Sequence, residues 1–130
     1  MTQSYFSEGA SEGCPIRNIL DRVGDRWSLL VFWTLGGGAK RFSQIKKDIG
    51  DISQRMLAKT LRILEQDGYL VRTVIPSVPP QVSYELTDLG NSFLRQLEKL
   101  IEWSDDNFDV IQQSRQSYLE KQNSAGSISR

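Results

Sequence analysis

The chain has 130 residues, of which 38% are hydrophobic and 25% charged, and its formal net charge is zero; these values are typical of a globular protein with one domain. It contains no histidine and a single cysteine, which excludes an internal disulfide and a Cys-rich zinc site and removes the commonest general base. Because the sequence also lacks a phosphate loop and any catalytic motif, we expect neither an enzyme nor a bound cofactor. It has no signal-peptide features and no apolar run of membrane-helix length, so a cytoplasmic location is expected.

Two helices are predicted after a polar N-terminal arm. Residues 1–13 are small and polar, which is typical of a flexible arm. Pro15 suits a first helical position and Gly24 a helix end, so the first helix is predicted between them. A second is predicted from about Arg26 to Leu35. Its WSLLVFW stretch is apolar on nearly every side, which predicts the central buried helix of the fold.

The next segment has the form of a helix-turn-helix. Ser43 is expected to cap a short third helix that stops at Gly50. Ser53 is expected to cap a fourth helix that runs to about Asp67, before Gly68. Since only a few residues separate these two helices, the pair is predicted to form a helix-turn-helix.

A β-hairpin and a long helix complete the predicted elements. The β-branched run LVRTVI at 70–75 and the alternating run QVSYEL at 81–86 predict two strands, joined by the stiff turn PSVPP at 76–80. Thr87 is then expected to cap a final helix that extends to about residue 120.

Charge is distributed unevenly along the chain. Residues 40–62 contain seven basic and two acidic residues, a local net charge of plus five. Residues 63–121 contain five basic and ten acidic residues, a local net charge of minus five. This separation predicts a surface with a directional electrostatic field despite overall neutrality.

Most of the interpretation depends on the basic stripe of the fourth helix, defined here as Arg55, Lys59 and Arg62. At helical spacing these three side chains share one face. Three leucines fall nearly opposite and are expected in the core, namely Leu57, Leu61 and Leu64. A helix fits the major groove of B-DNA, where arginine can pair with guanine, so the stripe predicts DNA binding. The alternatives are a charged face that is merely solvated and a protein-interaction module that does not bind DNA.

Neighbouring polar residues extend the predicted contact surface. Ser53 and Gln54, at the start of the fourth helix, can reach bases or phosphates. Lys46 and Lys47 on the third helix are placed to contact the DNA backbone, which positions a protein without reading sequence.

Several motifs together resemble one family of regulators. They are a CP start, GD-x-W-x-LL, RF-x-x-I, IS-x-R-x-L, L-x-x-LE-x-x-G and PP-x-V-x-Y-x-LT. From about Cys14 to Trp103 the chain strongly resembles the HxlR-type bacterial transcription regulators, which are winged-helix proteins related to the MarR regulators. The resemblance implies a dimeric DNA-binding protein in which residues 53–67 form the recognition helix and residues 76–81 the wing.

The wing departs from the family pattern. A basic residue often follows the paired prolines in such families, but here the position is Gln81, and no Lys or Arg lies between Thr73 and Arg95. We therefore expect a weak electrostatic contact from the wing, limited to Ser77, Gln81 or main-chain amides. The expected fold is mainly α with a small β-hairpin (α+β), comprising a flexible arm at 1–13, a winged helix-turn-helix domain with a C-terminal dimerisation helix at 14–120, and a frayed tail at 121–130.

The final helix predicts dimerisation. Apolar side chains from Leu94 to Tyr118 step by three and four residues, a heptad seam with two polar interruptions. The expected partner is the first helix together with a second copy, through Ile16, Leu20, Leu94, Leu97, Ile101, Phe108 and Ile111. A helix folded back on its own domain is the alternative. Two recognition helices in a homodimer would read a near-palindromic operator, with repression expected more often than activation.

Cys14 raises the question of a signal. It directly precedes Pro15, at the expected N-cap of the first helix, where the helix dipole favours a thiolate. In the family that the chain resembles, several members use an N-terminal cysteine at this place to sense oxidants or electrophiles. A structural cysteine is the alternative. A small-molecule inducer is a competing signal, because the aromatic residues Trp27, Phe32, Trp33, Trp103 and Phe108 could line a cavity between the DNA-binding part and the dimer helices, although such aromatics are more often plain core residues.

Overall fold

The structure, a computed structural model, describes the chain from residue 15 to residue 128, with side chains through residue 125. The predicted N-terminal arm and Cys14 lie outside the described residues. The helices are α1 (Pro15–Val23), α2 (Arg26–Leu35), α3 (Phe42–Ile49), α4 (Gln54–Gln66) and α5 (Asp88–Ile128). The strands are β1 (Lys40–Arg41), β2 (Leu70–Ile75) and β3 (Gln81–Leu86). The predicted fold class, mainly helical with a small β-hairpin, is confirmed.

The three strands form one antiparallel sheet in the order β1-β3-β2. The hairpin pairs Leu70 with Leu86 and Ile75 with Gln81, so the strand bounds agree with the predicted ones. The short strand β1 was not predicted, because two basic residues carry no alternation of their own. It is a strand only because Lys40 pairs with Tyr84 of β3.

Helix caps were predicted well with one exception. The Ser53 hydroxyl accepts a hydrogen bond from the Met56 amide at 3.0 Å, and the Thr87 hydroxyl accepts one from the Gly90 amide at 3.1 Å. The prediction that Ser43 caps α3 is wrong, because the N-cap residue is Arg41, two residues earlier. There the Gln44 side chain accepts a hydrogen bond from the Arg41 amide at 3.2 Å, which satisfies an orphan N–H without a serine.

The core lies between α2, α3, α4 and the sheet. Phe32 is completely buried, with its ring stacked on Phe93 at 4.5 Å and edge-on to Tyr69 at 5.2 Å. Helix α2, predicted to be the central buried helix, contributes Val31, Phe32 and Leu35 to the core but is not covered on its other face, where Leu30 is 36% and Trp33 51% exposed. The other buried apolar side chains are Ile45, Ile52, Leu57, Leu61, Leu64, Leu70, Tyr84, Leu86, Leu94 and Leu97.

The start of α5 lies directly against the turn that follows α4. A Cβ added at Gly90 would lie only 2.0 Å from the Tyr69 carbonyl oxygen, so only glycine permits this approach. The Thr87 amide donates to the same carbonyl at 3.0 Å, and the Thr87 hydroxyl donates to the Gly68 carbonyl at 2.6 Å. This turn and the first residues of α5 are therefore joined by backbone as well as side-chain contacts.

The chain divides into two compact units, one through Leu94 and one from Arg95 onward. The second unit consists of the rest of α5, which continues to Ile128 and not only to about residue 120 as predicted. At 1.5 Å per residue, the 41 residues of the whole helix span about 60 Å. Within the described part of the chain, none of the helices is long and apolar enough to cross a membrane.

Candidate nucleic-acid interface

The helix-turn-helix is built around a glycine and a buried isoleucine. Gly50 has a φ of 92°, a left-handed conformation that favours glycine, and its amide donates to the Lys46 carbonyl at 2.9 Å. Ile52 follows in the turn and is only 2% exposed. The turn is thus fixed by Gly50, which ends α3, and by Ile52, which packs in the core immediately before the N-cap residue Ser53.

Core packing determines which face of α4 points outward. Its leucines are at most 1% exposed, whereas Arg55, Lys59 and Arg62 are all exposed. Thr60, also buried, donates from its hydroxyl to the Met56 carbonyl at 2.8 Å and so leaves no unpaired polar group. The predicted separation of an apolar and a basic face on this helix is present in the structure.

Acidic residues near the basic stripe are paired with other cations. Asp48 accepts from Lys40 at 2.6 Å, and Asp51 accepts from Arg26 at 3.1 Å. These are the two acids that the sequence places in the basic segment 40–62.

The basic side chains expected to contact DNA are therefore not consumed by internal ion pairs. Among the residues that the structure describes, no carboxylate lies within 4.0 Å of the cationic groups of Lys46, Lys47, Arg55, Lys59 or Arg62. Lys47 is exposed and Lys46 partly exposed. Because these cations have no carboxylate partner within the protein, they remain available to bind the phosphates of DNA.

Two polar residues at the start of α4 lie on the same side as the turn. The Ser53 hydroxyl accepts the cap hydrogen bond and keeps its own proton free to donate. Gln54 is exposed in the first position of the helix. The N-terminal end of α4 thus combines a free hydroxyl, an amide side chain and the positive end of the helix dipole.

The wing offers fewer groups. Ser77 donates its hydroxyl proton within the turn, at 2.7 Å to the Pro79 carbonyl. Gln81 is partly buried and pairs with Ile75 at the base of the hairpin. Val78, at the tip, is fully exposed. Of the two predicted wing contacts, Ser77 is already engaged as a donor and Gln81 lies at the base of the loop.

The residues predicted to form the dimer interface differ in exposure. Leu94 and Leu97 are both 8% exposed, while Leu20 is 50% and Phe108 48% exposed. Ile16, Ile101 and Ile111 are intermediate. Other large apolar side chains are also exposed on the same helices, namely Ile19, Val23, Leu100, Trp103, Tyr118 and Leu119.

The aromatic residues considered as a possible cavity lining differ in burial. Phe32 is part of the close-packed core and has no exposed surface with which to meet a ligand. Trp33 and Trp103 are each more than half exposed. Within residues 15–125, no group of three or more acidic, histidine or cysteine side chains is arranged to hold a metal ion.

Sequence reasoning missed the roles of Arg26 and Lys40. Both are charged residues outside the predicted contact set, yet each pairs with an acid of the helix-turn-helix. Arg26 also lies over the Trp27 ring at 4.5 Å. The sequence contains no local signal for these pairs, because the Arg26–Asp51 contact joins residues 25 positions apart.

Comparison with known proteins agrees with this geometry. Residues 22–112 match the profile described as HxlR-like helix-turn-helix. The chain is 40% identical over 117 residues to the HTH-type transcriptional regulator YtfH of Escherichia coli K12, covering 85% of this chain and 93% of that protein.

Solved structures give the same result. YtfH of Salmonella typhimurium is 39% identical with a TM-score of 0.71, over 82% of this chain and 95% of that one. The redox regulator HypR in its reduced form is 37% identical with a TM-score of 0.70, over 75% of this chain and 97% of that one. With the basic helix-turn-helix and the hairpin described above, these matches show that the chain belongs to the HxlR-like family of DNA-binding, winged helix-turn-helix transcriptional regulators.

Proposed function

We propose that this regulator acts in the cytoplasm as a homodimer that binds a near-palindromic operator and represses transcription by excluding polymerase. In this proposal α4 is the recognition helix, and its basic stripe lies in the major groove. Ser53 and Gln54 contact bases or phosphates at the helix start, and Lys46 and Lys47 contact the backbone. Ser77 and Gln81 add weak contacts from the wing.

The observation that carries the proposal is that the basic stripe of α4 is exposed and has no carboxylate partner, while the opposite face of the helix is buried in the core. Three cations on a rigid helix can be presented to a groove without loss of internal partners. An arginine so placed can donate two hydrogen bonds to guanine, a contact worth about 1–3 kcal/mol of discrimination. The pairing of Asp48 and Asp51 with other cations supports the proposal, because it limits repulsion of phosphate beside the stripe.

Dimerisation is supported by the exposed apolar side chains on α1 and α5. Large apolar residues such as Leu20 on α1 and Phe108 on α5 are about half exposed, and several exposed apolar side chains on one helix commonly mark an interface. A symmetric dimer would present two copies of α4, separated by about one DNA turn or a multiple of it, to two half-sites.

Selection of bound sequences from a random duplex library tests the proposal. We expect the reduced protein to enrich an inverted repeat with half-site centres about 10 base pairs, or a multiple, apart. Sedimentation of the protein alone and with the selected duplex should give a dimer in both cases. Failure to enrich any sequence, or enrichment of a single half-site by a monomer, would contradict the proposal. Reporter transcription with the selected site between promoter and gene then separates repression from activation.

Control by oxidation or alkylation of Cys14 is a second proposal. It is supported by the similarity to HypR, a protein named as a redox regulator, and by the position of Cys14 directly before the first residue of α1. With one thiol per chain, two reduced subunits can lose two protons and two electrons to an oxidant such as diamide and form an intersubunit disulfide, or each thiolate can be alkylated.

The Cys14→Ser variant tests this control. We expect diamide to release wild-type protein from the selected duplex and to leave the variant bound. If the variant is released equally, the thiol is not the sensor. Release of both proteins by a small molecule in the absence of oxidant would instead support the ligand-responsive alternative.

A further inference from the structure

An ion pair joins the end of α1 to the end of α4. The Arg22 side chain donates from Nε to Asp67 Oδ2 at 2.6 Å, across 45 positions of sequence. Arg22 lies in the last turn of α1, and Asp67 is the C-cap of α4. Both side chains are partly shielded, at 23% and 37% exposure, so solvent screens this pair less than a fully exposed one.

The position of Asp67 at a helix end favours a cation beside it. A helix C-terminus carries a partial negative charge, so an acid at the C-cap is repelled by the last carbonyl groups of its own helix. Arg22, in the last turn of α1, places its guanidinium on this carboxylate and offsets both the carboxylate and the end of α4. Without Arg22, the carboxylate of Asp67 would lie uncompensated at the end of its helix.

The residues after Asp67 connect the end of α4 to other elements of the first unit. Gly68 and Tyr69 form the backbone contacts with Thr87 described above. The Tyr69 ring packs edge-on against Phe32 of α2. Burial, and then the charge of Asp67, raise the pKa of Tyr69, while Arg22 lowers it. The C-terminal end of α4 is thus a point where several elements meet.

We propose that Arg22 is a positioning residue for DNA recognition: its ion pair with Asp67 holds the C-terminal end of α4 against α1 and so fixes the angle at which the basic stripe meets the groove. This inference rests on the proposed role of α4 as the recognition helix. Asp67 is 13 residues from the first residue of α4, about 20 Å along the axis, so the pair acts through helix orientation and not through contact at the N-terminal end.

Positioning and contact give different binding results. A residue that only orients α4 should affect the affinity for a specific sequence, which requires aligned base contacts. It should leave unchanged the affinity for mixed-sequence DNA and the dependence of that affinity on salt, because both report phosphate contacts. These readouts also separate positioning from a general loss of stability, which would lower both affinities together.

The experiment uses the full-length protein under reducing conditions, with two fluorescent duplexes of equal length. One is the sequence that the wild-type protein selects from a random library, and the other is a mixed sequence. We expect Arg22→Gln to weaken binding of the selected duplex by about threefold to tenfold, the range of such indirect effects, with no change on the mixed duplex. Arg22→Lys, which keeps the charge, should recover most of the loss. Arg17→Gln, on the same helix, is the matched control and should bind both duplexes normally.

The double variant Arg22→Gln with Asp67→Asn should bind the selected duplex better than Arg22→Gln alone, because it removes the uncompensated carboxylate as well. Wild-type affinity of a folded Arg22→Gln variant, or equal weakening on both duplexes, would overturn the inference. If Arg22→Gln does not fold, Asp67→Asn replaces it, and unchanged specific binding in that variant overturns the inference. A wild-type protein that selects no sequence contradicts the proposed function itself, and the inference then fails with it.

Discussion

The proposed recognition helix α4 and the wing belong to the same small unit but differ in the groups that they would present to DNA. Helix α4 carries three exposed cations without internal ion pairs, and its N-terminus is capped by Ser53. The wing between β2 and β3 carries no Lys or Arg from Pro76 to Gln81, and its tip is the fully exposed Val78. The wing serine donates its hydroxyl proton to its own turn.

This difference indicates where affinity and specificity arise in this regulator. Phosphate contacts by cations supply most of the affinity of DNA-binding proteins and its salt dependence. A neutral wing can add van der Waals contacts or single hydrogen bonds. It neutralises no phosphate, so it releases no counterions from the DNA and adds little to the salt dependence of binding. We therefore expect changes in α4 to have large effects on binding and changes in the wing to have small ones, unless a charge is added there.

The largest effect is expected from removing cations of α4. Arg55→Ala with Lys59→Ala should weaken binding of the selected duplex roughly a hundredfold, because each base or phosphate contact is worth about 1–3 kcal/mol. Fluorescence anisotropy at fixed salt measures the change. The control, Arg95→Ala with Lys99→Ala, removes the same charge from α5. Equal losses in the two double variants would mean that net charge, and not the stripe, determines binding.

A smaller effect is expected from a negative charge at the helix start. Ser53→Asp keeps an N-cap acceptor, so stability to urea should stay close to wild type, while DNA binding should weaken about tenfold because a carboxylate faces phosphate. Ser53→Ala should do the reverse, losing about 1 kcal/mol of stability with a minor loss of binding. The cap interpretation is contradicted if Ser53→Asp is the less stable of the two variants.

A charge added to the wing should reduce the difference between the two regions. Gln81→Lys places a cation at the base of the loop, and we expect binding to both duplexes to tighten about threefold to fivefold at low salt, with a salt slope steeper by about one. Gln81→Met, of similar length and neutral, should bind like wild type. If the lysine has no effect, the wing lies away from the DNA backbone.

The smallest effect is expected from the paired acids. Asp48→Asn releases Lys40 from its 2.6 Å ion pair and removes one negative charge beside Lys47. Binding to mixed-sequence DNA should tighten about twofold, while the free energy of unfolding should change by less than about 1 kcal/mol, as for other partly exposed ion pairs. Weaker binding in this variant would show that Asp48 has a positive role in the complex.

The fold and the two faces of α4 could largely be predicted from sequence because their signals are local. The spacing of Leu57, Leu61 and Leu64 determines which face of α4 is buried, and the opposite basic face follows from helix geometry. The bounds of β2 and β3 follow in the same way from the alternation of β3 and from the prolines between the strands. The resemblance to a family of regulators rests on these segments together with the motifs that precede them from about Cys14 onward.

What could not be predicted depends on contacts between distant residues. Arg41, and not the expected Ser43, is the N-cap residue of α3, and it is also the last residue of β1, where it pairs with Ser83 of β3. The partners of Asp48, Asp51 and Asp67 lie 8, 25 and 45 positions away, and spacing in the sequence does not reveal them. Trp33 is exposed because a helix of ten residues meets this core along one face only.

The salt dependence of DNA binding tests the central difference most directly. The slope of log Kd against log salt would be measured for wild type and for a variant with Arg55, Lys59 and Arg62 each replaced by glutamine, on the mixed-sequence duplex. If the stripe faces the DNA backbone and bases, the slope should fall by about two to three, since each lost phosphate contact contributes about 0.9. An unchanged slope, with both proteins folded, would mean that DNA is bound by another surface and would contradict the assignment of α4.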